Sequence, residues 1–158
     1  TTEINGDPQA ELLANLPMVW CGGVAGQAAR ARPLRLAYEM GCLFRTSAQE
    51  ALDRAGIAWE TSVETRSSRT VEATVSADLA VTPCRKGTEP PQWEEVPKSF
   101  GLPELPEFEI SMYSGNSPNQ PLADKLADAV RRAYGKVGET GRQGDIAAEL
   151  GGIPMNAP

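Results

Sequence analysis

The sequence predicts an α/β fold built on a parallel sheet, and three observations carry that prediction. Strand, helix, strand, helix and strand candidates follow one another across residues 33–83, the order that crossover connections impose on parallel strands. Leu34, Leu36, Ala37 and Tyr38 form a nearly continuous apolar run, as in a strand buried on both faces. The period also switches: Ala48, Ala51, Leu52 and Ala55 recur at helical spacing, whereas Ile57, Trp59, Thr61 and Val63 alternate.

Taken in order, the chain opens with a polar lead punctuated by Gly6 and Pro8. Glu11, Leu12, Leu13 and Ala14 read as one helical turn. Residues 16–21 read as a strand that stops at Gly22 and Gly23, with Gly26 shortly after. These glycines read as a loop, since no lysine stands near them and the spacing is not that of a phosphate-binding loop. Residues 25–32 hold at most a few helical residues. The strand at 34–38 turns at Glu39, Met40 and Gly41 into a helix that ends at Gly56, where a left-handed residue costs glycine little. Ser47 and Glu50 have the spacing of a capping box. After the alternating strand, Ser67 or Ser68 caps a helix that buries Val71, Thr74 and Val75. The third strand is Leu79, Ala80, Val81 and Thr82, stopped by Pro83. Residues 93–96 read as a short edge strand. Pro103 and Pro106 stiffen the connector 101–106. Phe108, Ile110 and Met112 alternate as a strand, and residues 114–119 read as a loop. Leu122, Leu126, Val130 and Tyr134 then stripe a helix, with Arg131 and Arg132 in its last turn and Gly135 closing it. Residues 146–150 read as one further turn within a flexible tail.

Composition excludes several chemistries. A chain of 158 residues is one domain by default, and 41% apolar residues suffice for a modest core. The net charge of −6 makes it a poor partner for a phosphate backbone. The absence of histidine removes the usual general base, the Ser/His and Cys/His nucleophile pairs and most catalytic zinc sites. Glu94 and Glu95 sit in a charged turn and read as surface, so the expectation is no enzyme, no metal and no cofactor. No apolar run approaches the roughly 20 residues that span a bilayer. Cys21, Cys42 and Cys84 are odd in number and widely spaced, which predicts reduced thiols and a cytoplasmic setting. Residue 1 is threonine, so the chain is expected to be a fragment or a processed product.

Ligands of open α/β sheets bind at the carboxyl ends of strands, and that rule selects three loops. The first carries Glu39, Met40, Gly41, Cys42, Phe44 and Arg45; the second Arg66, Ser67 and Ser68; the third Thr82 and Pro83. Helix N-termini beside the first two would aim N–H groups at the ligand, so a small organic anion is expected. Each residue also has a structural reading. Ser67 and Ser68 serve as N-caps, Arg45 as a surface ion pair, and Leu43 and Phe44 as core. Cys42 reads as a buried free thiol, with a redox- or effector-sensing thiol as the alternative, since a helix N-terminus lowers a thiol's pKa.

The order and spacing of certain segments resemble the effector-binding region of LysR-type transcriptional regulators. They are Pro17–Met18–Val19–Trp20; Cys42–Leu43–Phe44–Arg45; Ala51–Leu52–Asp53–Arg54–Ala55–Gly56–Ile57; Ser67–Ser68 before a helix; and Gly101–Leu102–Pro103–Glu104–Leu105–Pro106. The resemblance implies a fold like type 2 periplasmic binding proteins, with the second lobe complete and the first lobe mostly missing. Residues 1–16 would end the first lobe and cross over, and 17–106 would form the second α/β lobe. Residues 107–135 would return a strand and helix to the first lobe, and 136–158 would be a flexible tail. It further implies a sensor for a small-molecule effector, working as a homo-oligomer, with no membrane contact. DNA would be bound only through a helix-turn-helix domain absent from this chain. A solute-binding protein of a transport system is the alternative on the same fold. One departure stands out: residues 76–80 lack the family's glycine for a left-handed turn, a conformation Asp78 can take. The Leu122, Leu126 and Val130 stripe is expected to need a partner from another chain or from further first-lobe structure.

Overall fold

The computed structural model describes residues 2–3, 10–115 and 117–140. The chain divides into two compact units, one formed by Thr1–Asn15 with Glu109–Pro158 and the other by Leu16–Phe108. Two strands, Glu11–Gly23 and Glu107–Met112, run through the boundary between them.

In the unit Leu16–Phe108, the strand–helix order of the sequence is realised. With the strands numbered along the chain, β1 is Thr2–Glu3, β2 is Glu11–Gly23, β3 is Leu34–Glu39 and β4 is Trp59–Thr65. β3 and β4 pair in parallel, from Leu34 opposite Trp59 to Glu39 opposite Thr65. Helix α1, Arg45–Arg54, makes the crossover between them, and α2, Ser68–Ser76, leads out of β4. β3 is buried on both faces, as its apolar run predicts. Leu34, Leu36 and Tyr38 join Trp20, Ala48, Leu52 and Val81 in one cluster, and Ala37 joins Val71, Val75 and Ala80 in another. Among the described residues β4 pairs only with β3, and it is half-buried and exposed by turns, matching its period of two.

The third strand departs from expectation. Only Val81 bridges β3 in parallel, at Leu36, with Ala37 N–H donating to Val81 C=O at 3.0 Å and Val81 N–H to Arg35 C=O at 2.9 Å. The regular strand β5 is Thr82–Arg85 and pairs antiparallel with β2, placing Pro83 opposite Trp20. Pro83 therefore lies inside the strand rather than ending it, as a proline can where a strand pairs on one side only. β6, Trp93–Glu95, is the expected short strand and pairs with β2.

β2 overturns two expectations. Residues 11–14 are strand, not a helical turn, and Gly22 and Gly23 continue the strand opposite Glu94 and Trp93. Gly23 is there because space is short: a Cβ would lie 2.8 Å from Val75 C=O at the end of α2. The cysteine expectation is overturned as well. Cys21 and Cys84 are disulfide-bonded, because the β2–β5 register brings residues 63 apart in sequence to a Cα separation of 6.3 Å. Cys42 is the free thiol.

Smaller differences concern helix ends. α1 begins two residues before Ser47, with Phe44 at its N-cap and no side-chain cap, so Ser47 and Glu50 form no capping box. Ala48, Ala51 and Leu52 are buried, but Ala55 lies past the helix end and is exposed. In α2, Val71 and Val75 are buried, and Thr74 is half-buried with its hydroxyl donating to Thr70 C=O at 2.8 Å. Asp78 takes φ +56°, as the missing glycine requires, and Gly56 takes φ +66°. Asp78 does more than tolerate the turn. Its carboxylate accepts from Gln27 N–H at 2.8 Å and Ala28 N–H at 2.8 Å, fastening this turn to the 3-10 turn Ala28–Arg30 that follows β2. The connector 101–106 is held by Trp20, whose Nε1–H donates to Pro103 C=O at 2.9 Å, while Leu102 and Leu105 pack on the core.

In the other unit, β1 pairs antiparallel with β7, Glu107–Met112. Helix α3 is Gln120–Thr140, so it passes through Gly135 instead of stopping there, and Arg131 and Arg132 lie in mid-helix. An interior glycine costs only about 1 kcal/mol. Leu122 and Leu126 are 61% and 65% exposed. Arg131 grips Glu11 with two hydrogen bonds of 2.7 and 2.8 Å and also Asp128 at 2.8 Å. The further turn at 146–150, the tail beyond 140 and the punctuation at Gly6 and Pro8 lie outside the described residues.

Candidate functional site

The carboxyl end of β3 and the N-terminus of α1 define the candidate site. Glu39 ends β3, and Gly41 turns the chain at φ +80°. Cys42 N–H then donates to Glu39 C=O at 3.0 Å and Arg45 N–H to Cys42 C=O at 3.3 Å, which winds the chain into α1. Met40 N–H donates to Thr65 C=O at 2.7 Å, so the first loop is stitched to the end of β4, where the second loop begins.

Within that frame each predicted residue has a definite place. Glu39, Met40 and Gly41 are exposed. Phe44 is half-buried, its ring 5.3 Å from that of Phe108. Leu43, read as core, is 58% exposed. Arg45 is half-buried, reaches Glu64 at 2.7 Å and stands 5.3 Å from the centre of the Tyr38 ring. That ion pair occupies part of its donor capacity and leaves other N–H groups of its five-donor fork. Arg66, Ser67 and Ser68 are exposed at the start of α2. Ser67 is the N-cap residue but makes no side-chain cap; its backbone C=O accepts from Thr70 and Val71. The structure thus joins residues 39–45 to Thr65 and its neighbours. Thr82 and Pro83 are different: both are buried within β5 against β2, and neither side chain faces open solvent.

Two groups tune this end of the sheet. Burial raises the Cys42 thiol pKa, and the Glu39 carboxylate adds to that. N–H groups of Phe44 and Arg45 lower it and only partly offset the rise. The thiol-lowering effect expected of a helix N-terminus is therefore outweighed here. Sequence reasoning missed Tyr38, read as one more apolar residue of the strand. Its side chain is fully buried, and its hydroxyl has no partner among the described residues. Burial pushes its pKa far above the ordinary value, so it is a neutral phenol with a proton to donate. The signal was its position: the last buried residue of β3, followed at once by a polar turn.

A separate cavity of about 600 Å³ lies in the other unit, lined by Leu13, Ile110, Met112, Ala127, Val130 and Tyr134. It is mainly apolar and holds none of the predicted site residues. No helix among the described residues is long and apolar enough to cross a membrane.

With this geometry in place the likeness can be stated: the fold is that of the effector-binding domains of LysR-type transcriptional regulators. Three solved structures illustrate the likeness. The CcmR regulatory domain of Synechocystis PCC6803, in complex with 2-PG, matches at a TM-score of 0.55 over 84% of this chain and 72% of its own. Full-length HypT of Salmonella typhimurium, a hypochlorite-specific LysR-type transcriptional regulator, matches at 0.52 over 85% of this chain and 51% of its own. The regulatory domain of a HypT M206Q mutant matches at 0.50, over 78% and 74% respectively. Sequence identity is 8% in all three, so the likeness is one of fold. These neighbours are regulatory proteins, not enzymes. No protein-family profile and no curated protein matches the chain.

Proposed function

We propose that the chain is the effector-binding domain of a LysR-type bacterial transcriptional regulator. It takes a small organic anion and thereby controls DNA binding by a separate helix-turn-helix domain, in a cytoplasmic homo-oligomer. Residues 17–106 act as the second lobe of the sensor, and 107–135 return to the first. The observation that carries this reading is the constellation at the end of β3: the N-terminus of α1 and Arg45, which stands 5.3 Å from the centre of the buried Tyr38 ring. A carboxylate or phosphate there meets backbone N–H groups and a guanidinium, both favouring negative charge, with the buried Tyr38 ring behind Arg45. Arg66, Ser67 and Ser68 add donors from the second loop. That the CcmR regulatory domain was solved with 2-PG supports an effector of this size. Regulation then requires only that the effector prefer one arrangement of the domain.

The disulfide Cys21–Cys84 favours a second reading, a solute-binding protein of an oxidising compartment. The test is a calorimetric screen of small carboxylates against their neutral amides, on wild type and Arg45→Ala. Carboxylates bind wild type and lose at least about tenfold in affinity to the variant, about 1.4 kcal/mol. Amides that bind as tightly as their acids would refute the site.

A further inference from the structure

The bonded pair Cys21 and Cys84 stands next to a third ligating group that the effector site does not use. β2 and β5 place Val19 opposite Cys84 and Cys21 opposite Thr82, so the two cysteines lie on a cross-strand diagonal. Past β5 the chain turns sharply at Gly87, φ +83°. Thr88 closes the turn through its N–H and hydroxyl, both donating to Arg85 C=O at 3.1 and 2.9 Å. Gly87 N–H donates to Glu89 Oε1 at 3.0 Å and folds that carboxylate back. As a result a Glu89 oxygen and the two sulfurs lie within 4.8 Å of one another.

We propose that, when the disulfide is reduced, Cys21, Cys84 and Glu89 form a binding site for a thiophilic divalent cation, with zinc the best fit. Two sulfurs and one carboxylate oxygen suit zinc and exclude magnesium and calcium, which want oxygen alone. Three protein ligands leave the fourth tetrahedral position to water. A tetrahedral zinc holds two sulfurs about 3.8 Å apart at a Zn–S distance of about 2.3 Å. Side-chain rotation reaches that separation with the strands where they are. Two thiolates and a carboxylate overbalance the ion's charge by one. The neighbouring Lys86 ammonium is engaged by Glu95 at 3.0 Å.

The chemistry balances in two steps. A dithiol reductant gives two electrons and two protons, the Cys21–Cys84 bond breaks to two thiols, and the reductant closes to its own disulfide. Zinc then displaces one proton from each thiol to solvent as the two Zn–S bonds form. In the oxidised chain neither Cys21 nor Cys84 can supply a thiolate, so the disulfide is the closed form of the site.

The test uses the full chain, reduced with dithiothreitol, desalted without oxygen and titrated with zinc or cobalt alone. Elemental analysis then finds one zinc per chain, and cobalt gives a sulfur-to-metal charge-transfer band; the oxidised chain shows neither. Cys84→Ser weakens the band. Glu89→Gln keeps a thiolate band but loses at least about tenfold in affinity, the cost of losing even an outer-shell partner. Cys42→Ser changes nothing. Because a cysteine variant can fail to fold, alkylation of wild type provides the second measurement: zinc protects Cys21 and Cys84 and leaves Cys42 as reactive as before. Absence of stoichiometric metal in the reduced chain, an unaltered affinity in Glu89→Gln, or unprotected Cys21 and Cys84 would each overturn the proposal.

Discussion

Replacing Asp78 separates two jobs that one residue performs. Its backbone sits at φ +56°, and its carboxylate accepts from the N–H groups of Gln27 and Ala28. A hydrogen bond to a charged acceptor contributes about 1.5 kcal/mol at the low end of its range, so two are worth about 3 kcal/mol in this half-buried turn. A β-carbon without a compensating polar group adds about 1 kcal/mol in the left-handed region. Asp78→Gly therefore costs about 3 kcal/mol, since it loses the bonds and keeps the turn, and Asp78→Ala about 4 kcal/mol. Asp78→Asn keeps one oxygen and a side chain at ease with positive φ, and costs about 1 kcal/mol. The assay is urea unfolding followed by tryptophan fluorescence. Trp20, Trp59 and Trp93 are the three tryptophans, and all lie in the unit Leu16–Phe108, so the signal reports that unit alone. If alanine is no worse than glycine, the backbone argument fails. If asparagine is as costly as alanine, the carboxylate is not what holds the turn.

Other consequences are as direct. Gly23→Ala pushes a methyl to 2.8 Å from the backbone oxygen of Val75, and the same unfolding assay reads a loss of about 2 kcal/mol. Cys42 is a thiol whose folded pKa is raised, so the folded state holds its proton longer than the unfolded chain. The stability this gives is present at neutral pH and is lost as pH climbs through the ordinary thiol range to the folded value. Iodoacetamide labelling of the non-reduced chain is accordingly slow at neutral pH and accelerates only at higher pH than for a free cysteine; fast labelling at pH 7 would contradict the burial argument. Glu11 is held below the ordinary carboxylate value by its hydrogen bonds from Arg131. Its contribution is present above the unfolded value and fades as pH falls through the folded one. An NMR titration of Glu11 gives a low midpoint, and Arg131→Ala returns it to normal.

The parts of the fold that follow local rules were readable in advance. β3 shows in its apolar run and β4 in its alternation. What escaped reading depends on partners distant in sequence. Residues 11–14 favour helix by composition, yet strand pairing overrides that weak preference. Gly22 and Gly23 look like a loop because glycine punctuates; at Gly23 the cause is the closeness of α2. The Cys21–Cys84 bond spans 63 residues and follows from a strand register that spacing does not reveal. At the site, the two loops joined by the Met40–Thr65 hydrogen bond were legible from the rule of strand ends. The Tyr38 hydroxyl, without a partner among the described residues, was not, since a tyrosine in an apolar run reads as core until its neighbours are known.

One unit of this protein is a single stretch of chain, Leu16–Phe108, while the other is assembled from segments on either side of it. On a ribosome the order of events follows. The inner stretch emerges from the exit tunnel before α3 does, and domains fold as units while synthesis proceeds. The inner unit can settle first and bring the two ends of the split unit within reach of each other. The arrangement is that of a domain inserted into a host, the kind of junction at which natural and engineered proteins exchange one module for another. A chimera that keeps the outer segments and carries a different inner stretch is the natural experiment on which half of the molecule holds a given property.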